Sequence, residues 1–457
     1  MMAKRAAVIG GGISGLCVAY RLKQGGIDVS LFESGTDVGG NIQTIFTDGF
    51  LLEQGPNSTM ASVELLELLD DLRIRDLIAQ PRAAAKNRYI IKHGKLVALP
   101  ASFFDLLKGD VFSYKAKLRL LKEPFVSSNS PEGESVAAFF ERRLGSEIVK
   151  YAVDPFVSGI YAGDPEKLSI RSAFPHLFAF ERDHGSLIKA QLFGKKEPAK
   201  AVPKGIPRSI TFARGTRTLI DALYSQLKEN IRLETAVVSI GKNGMANYKI
   251  RGSGFEEDFD AVIVATPAHA AARLIDRIDN ELAEKLSSIY YPPVAIVHTG
   301  FRRELVKAAC RGFGFLVPGG EQRRILGSLW TSSVFDERAP DGYHLFTTFI
   351  GGSRSAELCD NDEDQLIEIA IEELRSIVGI EGAPVLKAVK TWRKAIPQYN
   401  IDYESIPAAI VSMTKNNPGL YLCSNYYKGI SITDCIRNAN SAVGEVIDLF
   451  NELESYQ

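Results

Sequence analysis

Arg5-Ala6-Ala7-Val8-Ile9-Gly10-Gly11-Gly12-Ile13-Ser14-Gly15 is the stretch on which the fold turns. A short apolar strand runs into G-x-G-x-x-G, and the apolar spacing Ile13, Leu16, Val18-Ala19, Leu22 then predicts a buried helix that Gly25-Gly26 ends. Val29-Ser30-Leu31-Phe32 is a second strand, closed by Glu33, so a strand–helix–strand unit of ~30 residues stands at the start of the chain. The three glycines differ in what they permit. Gly10 allows the tight turn, Gly12 lets a pyrophosphate approach the backbone, and Gly15 permits close helix–strand packing. The helix N-terminus offers its positive dipole end to phosphate. Glu33, with Ser34 beside it, stands where a carboxylate accepts ribose hydroxyls. A glycine-rich turn without a ligand is the bland alternative, and strand, helix and acid together argue against it. The fingerprint alone does not separate one dinucleotide from another.

Outward from this unit, Ser135 to Lys150 has helical spacing at Val136, Phe139-Phe140, Leu144 and Ile148. Leu366 to Val378 reads as an amphipathic scaffold helix behind the acidic start Asp360 to Asp364. Lysines, prolines and glycines between Lys195 and Arg208 predict a mobile loop joining two domains. Beyond it, Leu219 to Leu227 suggests a helix, Ala236 to Ile240 and Tyr248 to Arg251 suggest strands, and Asp260 to Ala265 is a buried strand that brings the chain back to its first domain. With 457 residues, two or three packed units are expected. The formal charge of -1 gives no electrostatic argument for a nucleic-acid partner. The cysteines Cys17, Cys310, Cys359, Cys423 and Cys435 are scattered and form neither metal-ligand pairs nor a redox CxxC, which reads as reduced thiols in a cytosolic-type compartment and no metal. The apolar strand begins so early that no cleavable leader is expected. The most apolar run, Ala261 to Ile275, is interrupted by Thr266, Pro267, His269 and Arg273, so any membrane contact is expected at the surface.

Val38-Gly39-Gly40-Asn41 through Thr44 resembles the second glycine motif of the FAD-binding amine-oxidase-like superfamily, although Thr36-Asp37-Val38 stands where an arginine is common. Ala265-Thr266-Pro267 resembles its return to the cofactor domain, and Ala236-Val237-Val238 the strand at the adenine end. Leu420 to Tyr426 followed by Gly429-Ile430-Ser431-Ile432-Thr433-Asp434-Cys435 is similar to its last strand, glycine turn and helix, with Ser424 where glycine is frequent. The resemblance implies FAD, with the helix N-terminus near Ile432 aimed at the flavin to stabilise negative charge on the reduced ring. It assigns the cofactor to Gly10, Gly12, Gly15, Glu33, Ser34, Gly39, Gly40, Asn41, Val238, Thr266, Gly429, Ile430, Ser431 and Ile432.

Four further stretches resemble the protoporphyrinogen oxidase family: Glu53-Gln54-Gly55-Pro56-Asn57-Ser58, Phe156 to Pro165 with Lys167-Leu168-Ser169, Ile289 to Val294, and Trp392 with Ala395-Ile396-Pro397-Gln398-Tyr399. Gly55, Pro56, Asn57, Ser58 and Trp392 join the cofactor set by this resemblance. It implies an α/β, Rossmann-like FAD domain in three pieces (1–85, 206–270, 386–457). An α+β substrate domain on a mixed or antiparallel sheet (86–100, 271–385) and a helical, membrane-facing insertion (101–205) complete the architecture. It also implies a flat apolar pocket for a porphyrinogen, with Arg88 for a propionate, Gly159 on its wall, and Leu316 and Phe335 sandwiching the macrocycle. No side chain is expected as a catalytic base: His93, His176, His184, His269, His298 and His344 read as structural or surface, and the chemistry is the flavin's. The implied reaction takes protoporphyrinogen IX to protoporphyrin IX in three rounds of hydride transfer, with oxygen as acceptor and peroxide released. Coproporphyrinogen III oxidation by the same chemistry stays open, with an amine oxidase, a carotenoid desaturase or a non-catalytic tetrapyrrole-binding flavoprotein behind it. Ala101 to Phe125 mixes bulky apolar residues with Lys108, Lys115, Lys117, Arg119 and Lys122, which fits either membrane docking or a lid helix. By resemblance the chain is also expected to be a homodimer, cytoplasmic, and peripheral on the inner membrane.

Overall fold

The computed structural model describes residues 4–455 except 101–104, 106–108, 110, 194–201, 204 and 245, so much of the Lys195–Arg208 loop and the start of the Ala101–Phe125 segment lie outside the described residues. The opening unit forms as its pattern predicts: strand Arg5–Ile9, helix Ile13–Gln24 and strand Asp28–Phe32. These strands sit in a five-stranded parallel sheet in the order Ile231–Arg232, Asp28–Phe32, Arg5–Ile9, Ala261–Val264, Leu420–Leu422. Ala261–Val264 is wholly buried because both faces of the sheet are covered. On one face Ala6, Val8, Leu31 and Ile263 pack with Leu16 of the first helix and Ala439, Val443 and Val446 of the helix Ile432–Ser455. On the other, Ala7, Ile9 and Val262 meet Ile240, Tyr248 and Ile250 of a separate antiparallel sheet, Val237–Gly244, Asn247–Gly252 and Phe255–Phe259.

The second half is a seven-stranded mixed sheet in the order Leu386–Trp392, Val294–Arg302, Tyr343–Gly351, Gly327–Leu329, Gly314–Leu316, Tyr89–Lys92, Lys95–Ala98. Only the pairing of Gly314–Leu316 with Tyr89–Lys92 is parallel. Strand alternation splits its residues. Ala295, Val297, Phe301, Phe346 and Ile350 face the helix Glu363–Val378, whose start carries a capping box between Asp362 and Gln365 worth about 1 kcal/mol. Val294, Ile296, Phe349 and Trp392 face the other way, against Leu326, Ala395 and Ile396. One boundary needs correction: the expected third cofactor piece begins at 386, yet Leu386–Trp392 pairs with Val294–Gly300 as the edge strand of this sheet. Its β-rich Leu-Lys-Ala-Val-Lys-Thr-Trp pattern carries no mark of which sheet it joins.

Helices dominate residues 114–193. The single helix expected over Ser135–Lys150 is broken: Val136–Leu144 stops at Gly145, whose φ of 92° no helix accommodates, and the chain restarts through Val149–Val153 into Asp154–Tyr161. The interior there is closed by charge. Fully buried Arg143 donates to Glu123 at 2.6 Å and Glu181 at 2.5 Å, while Arg142 reaches Glu134 and Glu181 at 2.7 Å. Among the described residues no helix is long and apolar enough to cross a membrane.

Candidate cofactor and substrate site

In the parallel sheet Ile9 pairs with both Phe32 and Val264, and Val264 with Leu422, so the turns after these strands leave by one edge. Ligands of open parallel sheets bind at that carboxyl edge. Gly10 has φ 108°, and Gly15 is required because a Cβ there would lie 1.9 Å from the Gly10 carbonyl oxygen. Above Gly12 a Cβ would meet nothing within 4 Å, and Gly12 heads the helix without any side-chain cap. An uncapped helix start beneath open space is a cradle for phosphate. The second glycine motif locks onto the first: the Gly39 amide donates to the Gly11 carbonyl at 2.8 Å, and a Cβ on Gly40 would sit 3.6 Å from the Gly12 Cα. Gly55 closes over it, its Cβ direction blocked at 1.9 Å by the Asn41 carbonyl, and Asn41 Nδ2 reaches the Ala395 carbonyl at 3.4 Å. Glu33 accepts from the Gly11 amide at 2.6 Å and the Gly35 amide at 2.7 Å, with Ser34 Oγ at 3.3 Å. Its carboxylate therefore holds the loop between the first two strands and the second glycine motif.

Among the described residues, the buried atoms Thr266 Oγ1 and Asn57 Oδ1 have no partner. Such atoms are costly unless a ligand or water meets them. Ser58 Oγ accepts from Ser209 Oγ at 3.1 Å beyond Pro56-Asn57. Val238 stands 63% exposed at a register shift of its strand, three residues after Thr235, whose amide donates to the Glu33 carbonyl at 2.8 Å. An open apolar side chain beside the ribose acid suits an adenine ring. Trp392 Nε1 donates to the Gln54 carbonyl at 2.6 Å, tying the substrate sheet to Gly55. Gly429, at φ 122°, leads through Ile430 to Ser431, whose Oγ caps the helix at the Asp434 amide (3.1 Å) while donating to the Asp434 carboxylate (2.6 Å), one residue before Ile432. The donors, the open glycine cradle and the orphaned oxygens fit an extended dinucleotide along this edge.

Of the expected substrate positions, Gly159 and Leu316 meet: a Cβ on Gly159 would lie 2.7 Å from Leu316 Cδ2, so the helix Asp154–Tyr161 packs closely on the strand Gly314–Leu316 there. Leu316 pairs with Ile90, two residues from Arg88. Arg88 is exposed over the Phe313 ring, 5.2 Å from its centroid, and has no ion pair among the described residues. Phe335 is 3% exposed, with the Arg338 guanidinium 5.5 Å from its ring centroid. Arg338 is itself buried and donates to the Ala213 and Phe212 carbonyls, so this ring belongs to the joint between the two halves.

Several participants were missed by sequence reasoning. Arg217 donates to the Val38 carbonyl at 2.9 Å and to Asp37 at 2.8 Å, steadying the motif that lacks its own arginine; its neighbour Asp221, at i+4, is the only local sign of an anchored guanidinium. Lys390 lies 4.5 Å over the Trp392 ring, half-buried and with no ion pair among the described residues. Tyr399 and Tyr403 stack with centroids 4.3 Å apart beneath the Gly429 turn. Of the histidines, His298 is buried in the seven-stranded sheet with Nδ1 3.1 Å from Thr347 Oγ1, and burial drives its pKa down to about 4.

A cradle of this geometry joined to a mixed seven-stranded sheet fits a two-part flavoprotein, and the chain belongs to the flavin containing amine oxidoreductase family, whose pattern matches residues 13–447. Within that family it is 34% identical over 487 residues to the mitochondrial protoporphyrinogen oxidase of Nicotiana tabacum, covering 99% of this chain and 96% of the relative. It is 28% identical over 465 residues to the coproporphyrinogen III oxidase of Bacillus subtilis, covering 97% and 98%. The crystal structure of an Exiguobacterium sp. 255-15 protein provisionally named protoporphyrinogen oxidase superposes with a TM-score of 0.81 at 22% identity, covering 98% and 99% of the two chains, which shows a shared fold. The cofactor of this family is FAD, and the residues of the carboxyl edge fit it.

Proposed function

We propose that this chain oxidises protoporphyrinogen IX to protoporphyrin IX, with oxygen as the acceptor and peroxide as the second product. The observation that carries the reading is the packing of Gly159 against Leu316 with the exposed Arg88 two residues from the strand partner Ile90, an apolar contact with a cation near it that suits a flat macrocycle bearing carboxylates. Full-length similarity to plant protoporphyrinogen oxidases supports it. Bound FAD would supply the hydride acceptor in each of three rounds. The protein's own part is placement. Arg88 is suited to hold a propionate bidentately, the Gly159–Leu316 wall to keep the macrocycle flat, and the orphaned Thr266 and Asn57 oxygens to fix the cofactor. No side chain is needed as base, because pyrrole nitrogen lone pairs assist loss of hydride and the pyrrole proton can leave to solvent.

Coproporphyrinogen III is the second substrate reading, favoured by one observation: Lys390, unpaired among the described residues, adds a cation beside Trp392, as a tetracarboxylate would require. Anaerobically prepared protoporphyrinogen and coproporphyrinogen, assayed side by side for porphyrin fluorescence, decide between them. Turnover of neither above the spontaneous rate would reject the function. The same reading makes the chain a cytoplasmic homodimer, peripheral on the inner membrane, with 114–125 as its contact. Tyr114 (76% exposed), Leu121 (52%) and Phe125 (87%) stand beside Lys115, Lys117 and Lys122, a pattern suited to anionic lipid. Co-sedimentation with anionic against neutral vesicles tests it, and equal partition would reject it.

A further inference from the structure

We propose that Tyr399 is a positioning residue: its hydroxyl staples the turn Asn425–Gly429 and thereby sets how readily the flavin held at the carboxyl edge accepts electrons. The inference rests on the flavin reading above and extends it to a residue outside the cofactor and substrate sets.

Gly429 cannot be another residue, since φ is 122° and a Cβ would run into the Asp434 carboxylate at 2.5 Å. Its amide receives a partner from outside the local turn, the Tyr399 hydroxyl oxygen at 3.0 Å. The same hydroxyl donates its one proton to the Asn425 carbonyl at 2.8 Å, so a single oxygen closes both ends of the turn. Burial holds the Tyr399 pKa well above its ordinary value, which keeps that proton in place at any working pH. The ring is 2% exposed and stacks on Tyr403, 10° from parallel, whose own hydroxyl donates to the Tyr426 carbonyl at 2.7 Å. Beyond Gly429 come Ser431, whose Oγ caps the Asp434 amide, and the first turn of the helix Ile432–Ser455, whose Ile432 and Thr433 amides supply positive potential to the edge. A loosened turn swings those amides away and weakens the stabilisation of a reduced, anionic ring.

Tyr399 also reaches the other way. Its carbonyl accepts from the Ser169 amide at 2.8 Å, and its neighbour Gln398 donates through Nε2 to the Tyr161 carbonyl at 2.8 Å. Ser169 and Tyr161 lie in the segment that contains Gly159. The hydroxyl thus acts on the cofactor turn and its neighbour Tyr403, and the backbone and Gln398 act on the segment that contains Gly159. Removing only the hydroxyl separates the two.

The experiment compares holoproteins of the wild type, Tyr399→Phe and Tyr403→Phe. Flavin absorbance and midpoint potential are measured by dye-equilibrated reduction without porphyrinogen, and steady-state kinetics follow. In Tyr399→Phe the ratio of reduced to oxidised flavin at fixed potential is expected to fall about tenfold, the worth of one buried hydrogen bond, with kcat down similarly and KM within about twofold. Tyr403→Phe, equally buried, loses a bond to the Tyr426 carbonyl inside the turn but none to Gly429, and is expected to shift the potential by clearly less. An unchanged potential in Tyr399→Phe, or an equal shift in Tyr403→Phe, overturns the proposal. Should Tyr399→Phe fold poorly, amide exchange in the wild-type holoprotein reads the same bond, and rapid exchange at Gly429 would overturn it as well. A holoprotein with the expected shift but no porphyrinogen turnover rejects the substrate reading and leaves Tyr399 standing; wild-type protein that refuses flavin rejects both.

Discussion

The carboxyl edge of the parallel sheet and the interior of the helical insertion are both polar places inside the fold, and they are polar in opposite ways. In the insertion, Arg142 and Arg143 meet Glu123, Glu134 and Glu181, and Glu123 also accepts from the Leu187 amide at 2.9 Å. At the carboxyl edge the donors are backbone amides, the space over Gly12 is open, and Thr266 and Asn57 keep oxygens without partners. A charge cluster that satisfies itself is built for itself, whereas an edge that leaves an open cradle as well as unmatched oxygens is shaped around something else. Burial alone would not tell them apart.

Substitutions should respond to that contrast. The largest effect is expected at Gly15→Val, where backbone rather than a flexible side chain blocks the added carbon. A loss of at least about 4 kcal/mol is expected, with no flavin retained, read from visible absorbance of the purified protein; a yellow, stable variant would erase the distinction between edge and interior. Arg143→Met should lower stability by roughly 3–5 kcal/mol, because two buried carboxylates lose a partner. Flavin content per folded molecule should stay unchanged, and a fall in that ratio would mean the insertion also shapes the cradle.

A pH titration sharpens the comparison at the sheet lying between the two regions. His298 is neutral when folded, with a pKa pushed by burial to about 4, so the unfolded chain binds its proton first as pH falls. Its contribution to stability is therefore full above the unfolded value near 6.5 and is lost as pH drops toward 4, by roughly 3 kcal/mol in all. Denaturant unfolding from pH 7 to 5 should show a slope that His298→Gln flattens. Smallest is Arg88→Ala, expected to raise KM for the porphyrinogen about tenfold with a lesser effect on kcat. An unchanged KM would remove Arg88 from the pocket.

What could be read beforehand follows from the same physics. Gly10, Gly15, Gly39, Gly40, Gly55 and Gly429 were legible because a backbone conformation or a close approach demands one residue type, and Gly12 because it leaves the cradle open. Arg217 was invisible because its partners Asp37 and Val38 lie about 180 positions away in the chain. The pair Arg142-Arg143 looks like an exposed helix end, and only folding reveals that three carboxylates enclose it. Arg338 was equally illegible: it is buried by the carbonyls of Phe212 and Ala213, more than a hundred positions away in the chain. Leu386–Trp392 could not be assigned to a sheet because strand pattern encodes faces, not neighbours.

The parallel sheet ends on one side in Ile231–Arg232 and on the other in Leu420–Leu422, strands of two and three residues. Borders this short give a stray extended segment too few backbone groups to pair with, so the half that must stay open for its ligand is guarded against recruiting another chain into a fibre-like stack.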